Sequence, residues 1–393
     1  MEFKIPTQLK MIQQTVRRFV EEELVPREKL LPPLSGDLDP AVFADLVKKM
    51  KQIGIWNLSV PKEYGGVGLS WIGQALVNIE LNKSLLGTIG VGLTVMGEPP
   101  IILYDASEDQ KKRYLLPMIA GDKMYCFAQT ESNAGSDPSQ METTAVLKGD
   151  RWVINGRKIF ISGGDRADFA IVFALTDRGK KARGGITAFL VDKGTPGFTV
   201  ARQIETMGGH RPSELVFDNC EVPQENVLGK VGLGFDFAQK WIVQGRLLNH
   251  PPAAIGAAER CLKMAIAYVK DRVTFGKPLA DRQAIQWMIV DSAAEVHWNK
   301  LMLMHACYKA DMGKEVRHEA AMCKVYASEM GCRVVDRVIQ MHGGYGYTRE
   351  LPFERYYRDL RRSRITEGAS EVQRFIMARS LLRGYSPLDL LAE

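Results

Sequence analysis

TTAVLKGDRWVINGRKIFIS, residues 143–162, decides the architecture of this chain. It is rich in β-branched and aromatic residues, with Lys-Gly-Asp and Asn-Gly breaking it into short runs. The pattern predicts strand, turn, strand, turn, strand. Asn155-Gly156 reads as a type I′ hairpin turn, because that pair accepts the positive φ the turn needs. The same texture begins near Met124 and continues through YCFAQT (125–130), FAIVFALTD (169–177), GITAFLVD (185–192), FTVARQI (198–204) and SELVFDNCEVP (213–223).

Outward from this block the periodicity changes. Residues 7–28, 41–54, 70–84 and 107–121 carry apolar positions at helical spacing, with breaks at Pro and Gly. VPKEYGGVGLS (60–70) reads as a loop. From about Gly234 long helical patterns return, over 235–250, 252–273, 283–313 and 317–344. The expected organisation is multidomain α+β: a helical domain (1–122), a β domain (123–228) and a helical bundle (229–393).

The chain has 393 residues, long enough for two or three cores. Its six cysteines form no CxxC pair and its six histidines no ligand spacing, so neither a disulfide frame nor a metal site is expected. No apolar run reaches the roughly 20 residues of a membrane span. The start, MEFKIPTQLK, has no basic or apolar leader character, and a soluble, cytoplasmic protein is expected. The net charge of +6 suits an anionic small ligand such as a nucleotide or coenzyme A. RYYRDLRRSR (355–364) is the one basic, aromatic-rich segment. It reads as an exposed stretch with its tyrosines packed inward, ahead of a nucleic-acid patch.

Five motifs carry chemical interest. FAQTESNAGSDP (127–138) is a small-residue loop after a strand, of the kind that lets backbone N–H groups approach a ligand. KIFISGG (158–164) ends a strand in Ser162 and two glycines. DRVTFGKPL (271–279) sets Arg272 at a helix end, where an arginine complements the helix dipole or pairs with a phosphate. QMHGGYGY (340–347) ends a long helix in three glycines, more than a cap needs. ITEGASEVQRFIMAR (365–379) places Glu367 in the turn before a helix. Ser370 and Gln373 have capping-box spacing, with Ser370 as the expected N-cap. Each has a plain structural alternative: turn, strand end, dipole partner, cap or surface carboxylate.

Together and in this order, the motifs resemble the acyl-CoA dehydrogenase family of flavoproteins, over roughly residues 5–385. The resemblance implies a helical domain, a β-barrel-like middle domain and a four-helix bundle, assembled as a homotetramer or dimer. It implies FAD as cofactor, an acyl-CoA substrate and an electron-transfer flavoprotein as partner. Phe127, Gln129, Thr130, Gly135 and Ser136 match the loop beside the flavin, with Ser136 also toward the acyl-CoA. Phe160, Ile161 and Ser162 match the strand backing the flavin ring, Phe160 standing where many members have Trp. Arg272, Phe275 and Gln283 match residues that contact a neighbouring subunit's FAD. Gln340, Gly343 and Gly344 match the turn at its pyrophosphate. Ala369 and Glu371 stand where Thr and Gln often face the flavin.

On the substrate side, the resemblance assigns Arg246, Thr366, Glu367 and Gly368. Glu367 matches the catalytic base. Members that take the base from the bundle instead have it at the position of Gly245, which carries no carboxylate. Val243 replaces an aspartate often found there, and Thr366 a tyrosine. The implied chemistry is α-proton abstraction by Glu367 and hydride transfer from Cβ to the flavin, giving a trans-2-enoyl-CoA. Apolar surroundings are expected to raise the pKa of Glu367. Residues 85–98 contain no arginine to hold a second carboxylate, which points to an apolar acyl tail. Two alternatives accompany this reading: an oxygen-using acyl-CoA oxidase, told by peroxide, and a nucleic-acid-binding relative using Arg355, Arg358, Arg361, Arg362 and Arg364. A pure binder has no need of Glu367.

Overall fold

The computed structural model describes residues 5–385, apart from 37, 88–97 and 181. The acyl-tail segment singled out above therefore lies largely outside the described residues. Helix α1 (Thr7–Phe19) runs into a π turn and a 3-10 turn (Val25–Leu30) that holds Pro26 in its first turn, where its missing N–H costs nothing. The Asp39 carboxylate caps α2 (Pro40–Gln52), accepting from Ala41 N at 2.8 Å. Helix α3 (Trp71–Leu81) is capped by Ser70 and also by Asp311, which accepts from Trp71 N at 2.6 Å. Two short helices, α4 (Glu108–Gln110) and α5 (Leu116–Ala120), complete the first domain.

The middle block is one eight-stranded mixed sheet. Its strands are β1 (Tyr125–Ala128), β2 (Thr144–Lys148), β3 (Arg151–Ile161), β4 (Phe169–Leu175), β5 (Ile186–Asp192), β6 (Phe198–Gln203), β7 (Ser213–Pro223) and β8 (Val227–Leu228), with a kinked turn α6 (Ala182–Gly185) before β5. The order is β6-β7-β3-β2-β4-β5-β8, and β1 pairs parallel with β4. Strand β4 is buried along its whole length. Phe169, Ile171 and Phe173 join Tyr114 and Leu115 of the helical side, while Ala170, Val172 and Ala174 face Trp152, Phe189 and Phe217. The period-two alternation of strand side chains thus makes two cores from one strand.

Asn155-Gly156 is not a hairpin turn. Strand β3 runs straight through it, with a register shift against β7 between Ile154 and Gly156. The Asn155 side chain accepts from Asn219 N at 2.8 Å. A Cβ on Gly156 would stand 2.3 Å from Thr143 Oγ1. The extra residue lies on β7, where Asp218 and Asn219 (φ 47°) face Asn155 alone, and Gly156 admits Thr143 to close approach.

The helices resume at Gly234, where the helical pattern returns in the sequence. The third block comprises α7 (Gly234–Leu248), α8 (His250–Asp271), a two-stranded ribbon β9 (Val273–Thr274) and β10 (Lys277–Pro278), then α9 (Gln283–Asp311), α10 (Arg317–His342), α11 (Gly344–Tyr347), α12 (Phe353–Arg362) and α13 (Ser370–Leu381). Helix α10 is its centre, touching α7, α8, α9, α12 and α13. Ala327, Met330, Val334, Val335 and Val338 are wholly buried along it.

The basic segment 355–364 is not an exposed stretch. It is helix α12, with Tyr356 wholly buried and Arg355 7 % exposed. Arg355 donates to Pro32 O and Ser35 O and pairs with Asp359; Arg358 pairs with Glu354 and donates to Met207 O. These two arginines tie the three blocks together, which removes them from a phosphate-binding surface. Arg260 of α8 makes a second tie, gripping Glu28 through two bonds, one of 2.8 Å, beside Tyr356. The partners keep 15 % and 12 % of their side-chain surface. Arg260→Met is therefore expected to cost about 2 kcal/mol, less than for a wholly buried pair, read as a lower urea midpoint at unchanged slope. Among the described residues, no helix is long and apolar enough to cross a membrane.

Candidate active site around Glu367

Among the described residues, five that are not glycine adopt positive φ: Asn57, Phe160, Asn219, Phe275 and Glu367. Asparagine tolerates this region; Phe and Glu do not, at about 1–3 kcal/mol each. All three strained residues are among those singled out from the sequence. Strain persists only where the surroundings enforce it, and at Glu367 they are visible.

The Glu367 turn leaves α12 and enters α13. Its first helical residue is Ser370, and Ala369 is the N-cap. The capping box expected of Ser370 and Gln373 does not form. Ser370 Oγ is buried without a hydrogen bond, and Gln373 Nε2 donates instead to Gly368 O at 3.1 Å. The reason lies in the turn: Glu367 (φ 54°) and Gly368 (φ 96°) reverse the chain, and their carbonyls become the groups needing partners. Arg246 Nε donates to Glu367 O at 2.9 Å, and Lys324 Nζ to Gly368 O at 2.7 Å. Two cations from α7 and α10 thus hold the strained turn.

The side chain is held as well. Glu367 Oε1 lies 3.3 Å from His250 Nε2, at the start of α8. Oε2 is buried without a hydrogen bond. It points at Gly245: a Cβ there would be 2.3 Å from Oε2. The absent side chain at 245 is therefore the space the carboxylate occupies. Burial alone pushes the Glu367 carboxyl up, but His250, Arg246 and Lys324 outweigh it and hold it below the ordinary glutamate value. This overturns the expected rise. Burial lowers Lys324 to about 8 against the pull of Glu367, and Arg246 to about 10. His250 and Lys324 were not among the sequence candidates. Nothing local marks them, since both reach the turn from distant helices.

A second cluster forms on the sheet. The loop after β1 is pinned to β3 where Ile159 N donates to Thr130 O (2.9 Å) and Lys158 Nζ donates to Gln129 O (3.1 Å) and Glu131 Oε1 (2.7 Å). This brings Gln129 and Thr130 beside Phe160, Ile161 and Ser162. Phe160 is 57 % exposed, Ile161 is buried, and exposed Ser162 meets His210 at 2.9 Å. Gly135 and Ser136 lie exposed further along the loop. Phe127 stacks on Trp241 of α7 at 4.0 Å, and Trp241 Nε1 donates to Tyr125 Oη, docking α7 on the sheet.

A third cluster lies at the end of α10. A cleft of ≈ 540 Å³ is lined by Arg272, Gln340, Gly343 and Gly344 together with Tyr268 and His342. Gly343 has φ 59°, and nothing stands within 4 Å of the Cβ position of either glycine. The cleft presents open backbone beside an arginine, a setting for phosphate oxygens. Phe275 and Gln283 are not in its lining. Phe275 projects 98 % exposed from the β9–β10 ribbon, and Gln283 is exposed at the start of α9. The cleft shares no lining residue with the Glu367 turn. Ala369 is half-buried at the α13 cap and Glu371 is exposed on its first turn.

The domain patterns described as acyl-CoA dehydrogenase N-terminal, middle and C-terminal match residues 6–122, 126–220 and 232–382 in turn. The chain belongs to the acyl-CoA dehydrogenase family. It is 37 % identical over 387 residues to the acryloyl-CoA reductase (NADH) of Anaerotignum propionicum, spanning 98 % of this chain and 96 % of that one. Among solved structures it is similar to butyryl-CoA dehydrogenase from Megasphaera elsdenii, at 34 % identity and TM-score 0.88, over 98 % of this chain and 100 % of that one. It is also similar to a chain in a structure described as the electron transferring flavoprotein of Acidaminococcus fermentans, at 37 % identity and TM-score 0.89, with the same coverage.

As an acyl-CoA dehydrogenase homologue, the chain is an oxidoreductase acting on CH–CH groups, with FAD as its cofactor. The residues present fit that group. The glycine-floored cleft beside Arg272 suits a pyrophosphate, the exposed aromatic Phe160 suits a flat ring, and the orphaned Glu367 Oε2 is free to take a proton.

Proposed function

We propose that this acyl-CoA dehydrogenase removes hydrogen from Cα and Cβ of a short, apolar acyl-CoA, with Glu367 as the base. The observation that carries the reading is the held carboxylate: one oxygen against His250, the other buried and unpartnered. A base for a weakly acidic α-proton must be charged, placed and partly dry beforehand. Arg246 and Lys324 supply the placement by fixing the carbonyls on either side of the Glu367–Gly368 peptide. As the proton moves to Oε2, negative charge passes from the carboxylate to the thioester oxygen, for which Glu367 N–H is the proposed donor. Thr366, Gly368 and Ser136 are the proposed substrate contacts. Bound FAD supplies the hydride acceptor.

Gln129, Thr130, Gly135, Ser136 and the 160–162 strand end are the proposed flavin contacts, with Phe127 behind them and Ala369 and Glu371 across the turn. Arg272, Phe275, Gln283, Gln340, Gly343 and Gly344 are proposed to serve the adenine half across a subunit interface, in a homotetramer or dimer. The nearly full exposure of a strained Phe275 supports a partner subunit there. An electron-transfer flavoprotein is the proposed acceptor.

The similarity to an acryloyl-CoA reductase favours a second direction for the same site. By reversibility, protonated Glu367 would then return a proton to Cα of an enoyl-CoA. Anaerobic spectroscopy tests both. Acyl-CoA thioesters of increasing length are expected to bleach the flavin fastest at about four carbons, and a short enoyl-CoA to restore the colour of the reduced protein. A flavin that no thioester bleaches and no enoyl-CoA reoxidises would remove the reading.

A further inference from the structure

His250 is 2 % exposed and starts α8, immediately after the break that separates it from α7. Its Nε2 faces two groups of the same turn, Glu367 Oε1 at 3.3 Å and Thr366 Oγ1 at 3.5 Å. Its Nδ1 is buried without a hydrogen bond. A neutral imidazole carries one proton and one lone pair. With a carboxylate at Nε2, the proton belongs there, and Nδ1 keeps the lone pair. The opposite tautomer would set lone pair against carboxylate and bury an unpaired N–H, which is the costlier arrangement.

Given Glu367 as the base proposed above, we propose that His250 is a positioning residue for it, donating to Oε1 so that Oε2 alone is left to receive the substrate proton. Arg246 and Lys324 cannot do this, because their bonds go to backbone carbonyls. They fix where the turn sits but not how the carboxylate is rotated about its last bond. Among the described residues, His250 alone stands within ion-pair distance of the carboxylate oxygens. The charged and titratable groups felt by Glu367 come from every element around it: His250 from α8, Arg246 from α7, Lys324 from α10, Arg362 from α12 and Tyr125 from β1. Removing one donor from this set weakens the hold on the charged carboxylate without emptying the site of cations.

The sign follows. The Glu367 carboxyl lies below its ordinary value, so it stays ionised as pH falls into the acid range. Loss of the His250 bond raises it, and the base is protonated sooner. The experiment is single-turnover bleaching of the FAD-loaded enzyme by butyryl-CoA without oxygen, from about pH 4 to pH 9, for wild type, His250→Ala and His250→Gln. In His250→Ala the acid limb is expected to move up by about one pH unit, so the rate falls by up to about tenfold toward the acid end while the gap closes as pH rises toward 9. His250→Gln restores an N–H donor and is expected to recover much of the acid-side rate. Should the alanine protein not retain FAD, His250→Asn, too short to reach Glu367, takes its place with the same expectations.

An acid limb unmoved by Ala or Asn at equal FAD content would overturn the proposal, as would a glutamine variant no better than alanine. Failure of the underlying reading looks different: Glu367→Gln itself would then bleach at the wild-type rate.

Discussion

Glu367→Gln is expected to fold, to hold FAD, and to lose about 10²–10⁴ of its rate of flavin reduction by acyl-CoA. Glutamine preserves shape and keeps a hydrogen-bonding head toward His250. It removes the one acceptor for the α-proton at this place. Gly245, where the resemblance would otherwise seat the base, has no side chain, and Arg246 and Lys324 beside it are donors. The strained φ of 54° is a backbone property held through carbonyls, so the substitution leaves the turn intact. The loss should appear in the rate of bleaching and not in substrate affinity. Near-normal bleaching by this variant would remove Glu367 from the chemistry.

Gly245→Ala tests the same geometry from the other side, and about 10²-fold of the rate is expected to go. The added methyl would stand 2.3 Å from Glu367 Oε2, 2.9 Å from Cδ and 3.0 Å from Oε1. The carboxylate must swing away, and it leaves both His250 and its place before the substrate. Stability should not fall with activity. Residue 245 lies inside α7, where alanine is favoured over glycine by about 1 kcal/mol. An enzyme that gains thermal stability and loses turnover is the expected signature. Full activity would mean that the working carboxylate is placed elsewhere.

The order of helical, β and helical blocks was legible because it is written locally, in residue spacing. The start of α7 at Gly234 could be read from residues on the spot, whereas the break beyond it, expected at Pro251, falls at Asn249 and puts His250 at the start of α8. What failed was decided at a distance. Whether Asn155-Gly156 turns or runs on as a strand depends on the bulge at Asn219, 64 residues on. The Ser370–Gln373 box was correct as a pattern, but the carbonyls of a strained turn claimed Gln373 first. The basic run 355–364 reads as surface by composition, and only the fold shows loop carbonyls arranged around Arg355.

The site was legible as a set of motifs, and its electrostatics were not. A lone glutamate in an apolar turn should have a raised pKa, and that expectation was sound for its neighbours in sequence. The groups that reverse it are His250 of α8 first, then Arg246 of α7 and Lys324 of α10, with Lys324 reaching a carbonyl 44 residues away. His250 resembles any buried histidine until the turn is folded against it. The consequence is chemical: the Glu367 carboxylate, the proposed base, is held in its charged form in advance.

The most direct test of α-proton abstraction is the rate at which butyryl-CoA, with and without deuterium at Cα, bleaches the FAD-loaded protein in the absence of oxygen. Rapid bleaching that α-deuterium slows is the result expected here. A flavin that stays yellow, or one that bleaches at a rate indifferent to α-deuterium, would contradict the role given to Glu367.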